Sequence, residues 1–239
     1  MNHDLSVRDR IAIALDTSSL ADATALVRAA SEHVGVAKVG LQLFSAEGPH
    51  AVAAIRDLGM DVFVDLKLHD IPHTVRQAAT VLGRLGATYV TVHASGGAAM
   101  VAAAVEGFAA GAASVGLRPP AILAVTVLTS DAHAPAELLL ERLAAAVDGG
   151  AAGVICAAPD VPTLKAEAPH ILAVTPGIRS ATTDHHDQAR VATPALAIGN
   201  GADVLVVGRD ITAAHDPATA AAAIAAEVSA ALDQVSASA

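Results

Sequence analysis

Tryptophan is absent from the sequence, tyrosine occurs once and phenylalanine three times. So few flat rings cannot form a stacking platform for bases, and a formal net charge of −10 repels a phosphate backbone. Both argue against nucleic acid as a partner. Cysteine is equally scarce: Cys156 stands alone, which excludes an internal disulfide framework and an all-cysteine metal site and fits a reducing cytoplasm. The opening MNHDLSVRDR lacks the apolar core of a secretory signal. Apolar runs are strand-length and interrupted by glycine, proline or charge, so no window is expected to cross a membrane. Only 16% of residues are charged while 54% are hydrophobic, which describes a packed chain and not a disordered one. With so few cations, an anionic substrate has to be held by a local group of them.

What the chain has in quantity is a repeated pattern. Eight apolar runs, at residues 11–15, 36–41, 62–67, 89–94, 122–128, 153–158, 171–178 and 204–208, are each followed by an alanine-rich amphipathic stretch. Near-continuous apolar runs suit strands buried on both faces, and alternation with helices implies parallel pairing. Eight such units in 239 residues indicate a single-domain (β/α)8, or TIM, barrel. The competing doubly wound sheet would carry a glycine-rich turn after its first strand, where this chain has Asp16-Thr17-Ser18-Ser19.

Polar residues gather at the carboxyl ends of these runs, where such barrels keep their chemistry. The third continues as DVFVDLKLHDIPHT from Asp61 to Thr74. A period of two places Asp65 and Lys67 on one face, and Asp70 follows in the turn before Pro72, close to the pair, where a helix begins. Desolvating such a group as a mere ion pair is costly, which points to catalysis. Lys38, enclosed by Val36-Ala37 and Val39-Gly40, needs a carboxylate partner such as Asp65. Asp16 ends the first strand and also suits a carboxylate near a helix cap. His93 reads as a core or barrel-mouth histidine, and Thr126 and Thr129 as groups able to satisfy backbone. The seventh run ends in Thr175-Pro176-Gly177-Ile178-Arg179 and the eighth in Gly208-Arg209-Asp210. Loops after strands seven and eight often bind phosphate, so Arg179 and Gly208-Arg209 form a candidate dianion clamp. Residues 180–190 read as a lid loop, and His185-His186-Asp187 within it as a solvated stretch and not a metal site. Residues 217–232 form a closing helix, with 236–239 expected to fray.

Asp65-x-Lys67-x-x-Asp70-Ile71-Pro72-x-Thr74 is the most specific motif, supported by Leu15-Asp16, Lys38-Val39-Gly40, Val127-Leu128-Thr129-Ser130, the run ending at Arg179, Asp187-Gln188-x-Arg190 and Val207-Gly208-Arg209. On these residues the chain resembles the orotidine 5′-monophosphate decarboxylase family of compact bacterial type. The resemblance implies a (β/α)8 homodimer that makes uridine 5′-monophosphate and carbon dioxide, the last step of pyrimidine synthesis, with no metal or organic cofactor. It implies Lys67 as proton donor and Asp65 beside the departing carboxylate. Asp70, Ile71 and Thr74 would enter the neighbouring subunit's site. Asp16 and Lys38 would hold ribose hydroxyls and orient the charges, Thr129 would meet the pyrimidine, and Arg179, Gln188, Gly208 and Arg209 would grip the phosphate. Magnesium-dependent sugar-phosphate decarboxylases and aldolases of the same barrel group share Asp-x-Lys-x-x-Asp but use an acidic metal ligand where this chain has Lys38. An ammonium has no lone pair for a cation, so Lys38 favours the nucleotide enzyme. A catalytically silent phosphate-binding barrel would have little reason to keep Lys38, Asp65, Lys67 and Asp70 together.

Overall fold

Ile11-Ala12-Ile13-Ala14 is apolar on both faces, and a strand of that kind needs a core on each side. The computed structural model, which describes residues 5–129, 131, 135–180 and 191–238, supplies both. Strands β1 (Ile11–Ala14), β2 (Val36–Gly40), β3 (Asp61–Leu68), β4 (Tyr89–His93), β5 (Ala121–Val125), β6 (Gly153–Ile155), β7 (Leu172–Ile178) and β8 (Val204–Val207) pair in parallel and close, β8 on β1, into an eight-stranded barrel. Around it run α1 (Leu20–Ala30), α2 (Leu41–Glu47), α3 (Pro49–Arg56), α4 (Pro72–Leu82), α5 (Gly97–Ala113), α6 (Ala136–Asp148), α7 (Val161–Glu167), α8 (Pro194–Gly199), the short α9 (Arg209–Thr212) and α10 (Pro217–Ser238). Alternation sorts each strand: Ala12, Phe63, Leu123, Val174 and Val206 fill the barrel, while Ile11, Ile13, Leu205 and Val207 face the helices. Small Ala12 and Ala14 leave room for Phe63, whose ring meets Tyr89 edge-on with centroids 6.1 Å apart.

The eight-unit barrel is the expected one, with three differences. Several strands stop short of their apolar runs, β5 at Val125 and β6 at Ile155; beyond them Val127 and Leu128 line the barrel mouth, whereas Cys156 and Ala158 are buried in the outer core. The closing helix continues through Ser238, since no glycine or proline interrupts residues 233–238. The segment Ala94–Ala113 is long and apolar enough to cross a membrane, with a mean hydropathy of 1.3, contrary to the expectation that no window would be. Its α5 portion lies against the barrel, where Met100, Val101, Ala104 and Phe108 are buried. A core helix and a spanning helix share that composition.

Backbone approach fixes α5 against α4. A Cβ on Gly107 would stand 2.5 Å from the Arg76 carbonyl oxygen, and one on Gly83 2.5 Å from that of Phe108, so neither position has space for a side chain. Arg76 and Glu106 form an ion pair across the same seam. Gly107→Val should therefore lower stability by about 2–4 kcal/mol. Urea unfolding checks this; an unchanged midpoint would mean that the two helices separate without penalty.

Candidate active site

The inward face of β2 is Val36, Lys38 and Gly40, so the strand delivers Lys38 into the barrel just below its mouth, 9% exposed. Its Nζ lies 3.3 Å from Asp16 Oδ1, at the end of β1, and 3.6 Å from Asp65 Oδ2 on β3. Asp65 in turn accepts hydrogen bonds from Lys67 Nζ through both oxygens, at 2.8 and 2.9 Å. The four side chains make a row of alternating sign. Gly40 leaves it space: a Cβ there would lie 3.1 Å from both Lys38 Nζ and Asp16 Oδ1. Asp16 takes no capping role, since Ser19 caps α1 by accepting the Asp22 N–H at 3.1 Å.

Asp65 and Lys67 meet as expected, but simple alternation is not the reason. Between the Val64–Val90 and Leu68–Val92 pairs lie three residues of β3 but only one of β4, so β3 bulges there. Within the bulge Lys67 has φ 51°, the one positive φ of a non-glycine among the described residues. A left-handed backbone costs about 1–2 kcal/mol, and such departures collect at functional sites. Thr91, fully buried on β4, spans the bulge: its Oγ1 accepts the Lys67 N–H at 2.9 Å and donates to Asp65 Oδ1 at 2.9 Å. Sequence reasoning passed over Thr91, although it shares the inward face of Tyr89 and His93 between two outward valines.

Asp70 departs from its expected place near the pair. It is exposed beyond the strand end, its Oδ1 accepts the Ile71 N–H at 2.7 Å, and among the described residues no ion pair joins it to Lys67. Pro72 starts α4 two residues later and carries the turn outward. Ile71, 65% exposed, and Thr74 lie on the same outer turn.

The charged row lines one wall of a pocket of about 380 Å³ with apolar Phe63, Val125 and Ile155 among its lining. Thr129 also lines it, whereas Thr126 points away and donates to the Ile155 carbonyl oxygen at 2.9 Å. Arg179, Gly208 and Arg209 line the pocket from β7 and β8, and in an eight-stranded barrel β7 lies opposite β3. Arg179 is 5% exposed, with Nη1 3.3 Å from the Ile178 carbonyl oxygen and 3.6 Å from Asp210 Oδ1, while its Nε has no hydrogen-bond partner among the described residues. Asp210, given no role by its sequence, also accepts the Ser180 N–H at 2.6 Å. Gln188, the histidine pair and positions 181–190 of the expected lid lie outside the described residues. Among the described residues no three His, Cys, Asp or Glu side chains converge as a metal site.

Residues 9–224 match a family model described as orotidine 5′-phosphate decarboxylase / HUMPS family. The chain belongs to this family. Over 227 residues it is 49% identical to a protein of Paramagnetospirillum magneticum named orotidine 5′-phosphate decarboxylase, covering 90% of this chain and 97% of that one. A relative of the same name from Anaeromyxobacter is 51% identical over 229 residues, covering 91% and 97%. Among solved structures, orotidine 5′-phosphate decarboxylase from Lactobacillus acidophilus superposes with a TM-score of 0.78 at 37% identity, over 92% of this chain and 99% of its own.

In this member of the family, two groups at the mouth have displaced pKa values. Burial raises that of Asp65, but the charges of Lys38 and Lys67 and hydrogen bonds from Lys67 and Thr91 outweigh it and hold the carboxyl below its ordinary range. Burial pushes half-buried His93 down, and His69, whose ring centroid is 5.3 Å away, and Lys67 push the same way. A depressed carboxyl contributes stability that is present above its unfolded value, near about 3.9, and lost as pH falls through the lower folded value. Asp65→Asn should thus cost roughly 1–3 kcal/mol at neutral pH, and the gap to wild type should close below about pH 4. Urea unfolding across that range is the measurement; a gap independent of pH would mean that the Asp65 charge contributes nothing to stability.

Proposed function

We propose that the chain decarboxylates orotidine 5′-monophosphate to uridine 5′-monophosphate and carbon dioxide, the last step of de novo pyrimidine nucleotide synthesis. The observation that carries this reading is the alternating row Asp16, Lys38, Asp65 and Lys67 facing the arginines of β7 and β8 across one pocket. Family membership and the names of the relatives support it.

In this reading Arg179, Gly208 and Arg209 bind the phosphate, Asp16 and Lys38 the ribose hydroxyls, and Thr129 the pyrimidine. The substrate carboxylate then lies beside Asp65 and Lys67. When the bond from the ring to the carboxylate breaks, carbon dioxide leaves and the electron pair stays on the ring carbon, in the ring plane, where the π system cannot spread it. Lys67 stabilises that charge and transfers its proton to the carbon, and the neutral amine regains a proton from water. Asp65, 2.8 Å from Lys67 Nζ, stabilises the ammonium and opposes the substrate's carboxylate in the ground state. Binding energy from the distant phosphate holds the ring against the charged row.

The magnesium-dependent alternative needs an acidic ligand at the end of β2. Lys38 stands there instead, already paired with two carboxylates, and its ammonium would repel the metal. An absorbance assay with orotidine 5′-monophosphate, run with and without EDTA, tests the reading. Turnover should survive the chelator, and Lys67→Ala should lose at least about three powers of ten in kcat, upwards of roughly 4 kcal/mol, while product binding survives. Activity abolished by EDTA and restored by magnesium would transfer the chain to the sugar-phosphate reading.

A homodimer in the cytoplasm belongs to the same proposal. Asp70, Ile71 and Thr74 project from the strand-to-helix turn, and Leu41, 58% exposed, and Leu128, 45% exposed, follow strands at the same end of the barrel. An exposed apolar rim of this kind suits a second copy that receives Asp70 into its own site. Lys67→Ala and Asp70→Asn chains, each inactive alone, should then complement when refolded together, since half of the sites in mixed dimers are whole. About a quarter of wild-type activity is expected from equal amounts. Proven subunit exchange with no activity above either parent would put Asp70 in its own chain's site.

A further inference from the structure

We propose that Thr91 is a positioning residue for this reaction: its hydroxyl fills the β3 bulge, taking the Lys67 backbone N–H and giving its own hydrogen to Asp65. One oxygen atom thereby fixes both the backbone of the proton donor and the carboxylate beside it. The inference rests on the decarboxylation proposed above.

A hydroxyl can donate and accept at once, and Thr91 Oγ1 does both at 2.9 Å. The oxygen it donates to, Asp65 Oδ1, is the one 2.8 Å from Lys67 Nζ, so Thr91, Asp65 and Lys67 form a closed ring of contacts. The bulge lies between the Val64–Val90 and Leu68–Val92 pairs, which leaves Thr91 as the β4 residue facing it. Within that bulge the Lys67 N–H bonds to a side chain of the neighbouring strand. Thr91 is fully buried, so water has no ready route to replace its hydroxyl. Without that acceptor, the left-handed conformation at Lys67 loses its tether and the ammonium shifts relative to the reacting carbon. Misplacement on the order of 1 Å costs about a hundredfold in rate. The groups proposed to hold phosphate stand on β7 and β8, away from Thr91, so substrate binding is left largely untouched.

The test compares Thr91→Val, which keeps the shape and removes the hydroxyl, with Thr91→Ser, which keeps the hydroxyl. With orotidine 5′-monophosphate as substrate, Thr91→Val should lower kcat about 10- to 100-fold with KM within about threefold, and Thr91→Ser should stay within about fivefold of wild type. If the valine variant does not fold, Thr91→Ala against Thr91→Ser isolates the same hydroxyl. A second readout needs no substrate: in carboxyl-carbon NMR titrations Asp65 should titrate at higher pH in Thr91→Val than in wild type, because one hydrogen bond to its anion is gone. Wild-type kcat in Thr91→Val, or an equal fall in Thr91→Ser, would overturn the positioning role, as would an Asp65 titration that does not move. A wild-type enzyme inert toward orotidine 5′-monophosphate would instead overturn the decarboxylase reading, with the NMR titration still deciding whether Thr91 controls Asp65.

Discussion

Charges taken out of water must be matched, and matching Lys38 is the constraint on which this site depends. A lysine 9% exposed inside a barrel survives only with anions at hand, and the fold supplies Asp16 from one neighbouring strand and Asp65 from the other. That requirement spreads outward. Asp65, serving Lys38, is left with capacity for Lys67; Gly40 keeps the space beside the Lys38–Asp16 pair clear; and the bulge of β3 turns Lys67 back to Asp65. Phe63, one inward step below Asp65, seals the row from beneath with apolar surface.

What sequence alone revealed follows from the range of each interaction. Period and burial made the barrel legible, because eight double-sided apolar runs have few other solutions. The Lys38–Asp65 partnership was legible too, since an isolated buried lysine demands an anion. Thr91 was not, because its value comes from an irregularity in the neighbouring strand, and a bulge leaves no mark on an alternating pattern. Asp210 was hidden for a similar reason: its partners, Arg179 and the Ser180 N–H, come from the adjacent strand end. For Asp70, proximity in sequence suggested a place close to Lys67, whereas the turn into α4 carries it outward, on the side from which the resemblance has it enter a neighbouring subunit. Composition also failed at residues 94–113, whose apolarity serves the outer core between barrel and helices.

The route by which Lys67 reaches its place joins mechanics to chemistry. An ordinary strand would align its side chain with the pleat; the extra β3 residues and the left-handed turn let a long side chain fold back on a carboxylate two positions earlier. Such a conformation persists only when its surroundings over-determine it, and the Thr91 hydroxyl together with the paired carboxylate does so.

Asp16, Lys38, Asp65, Lys67 and Thr91 all belong to β1 through β4 or their ends, whereas Thr129, Arg179, Gly208 and Arg209 belong to β5 through β8 or theirs. On the proposed assignment, the barrel is divided along its own chain into a half that carries the reacting charges and a half that holds the anchor. On that assignment, substitutions in the first half change the chemistry while the second keeps its hold on a phosphorylated ligand. A fold partitioned in this way separates the choice of reaction from the grip on the ligand, so that each can be altered on its own set of strands.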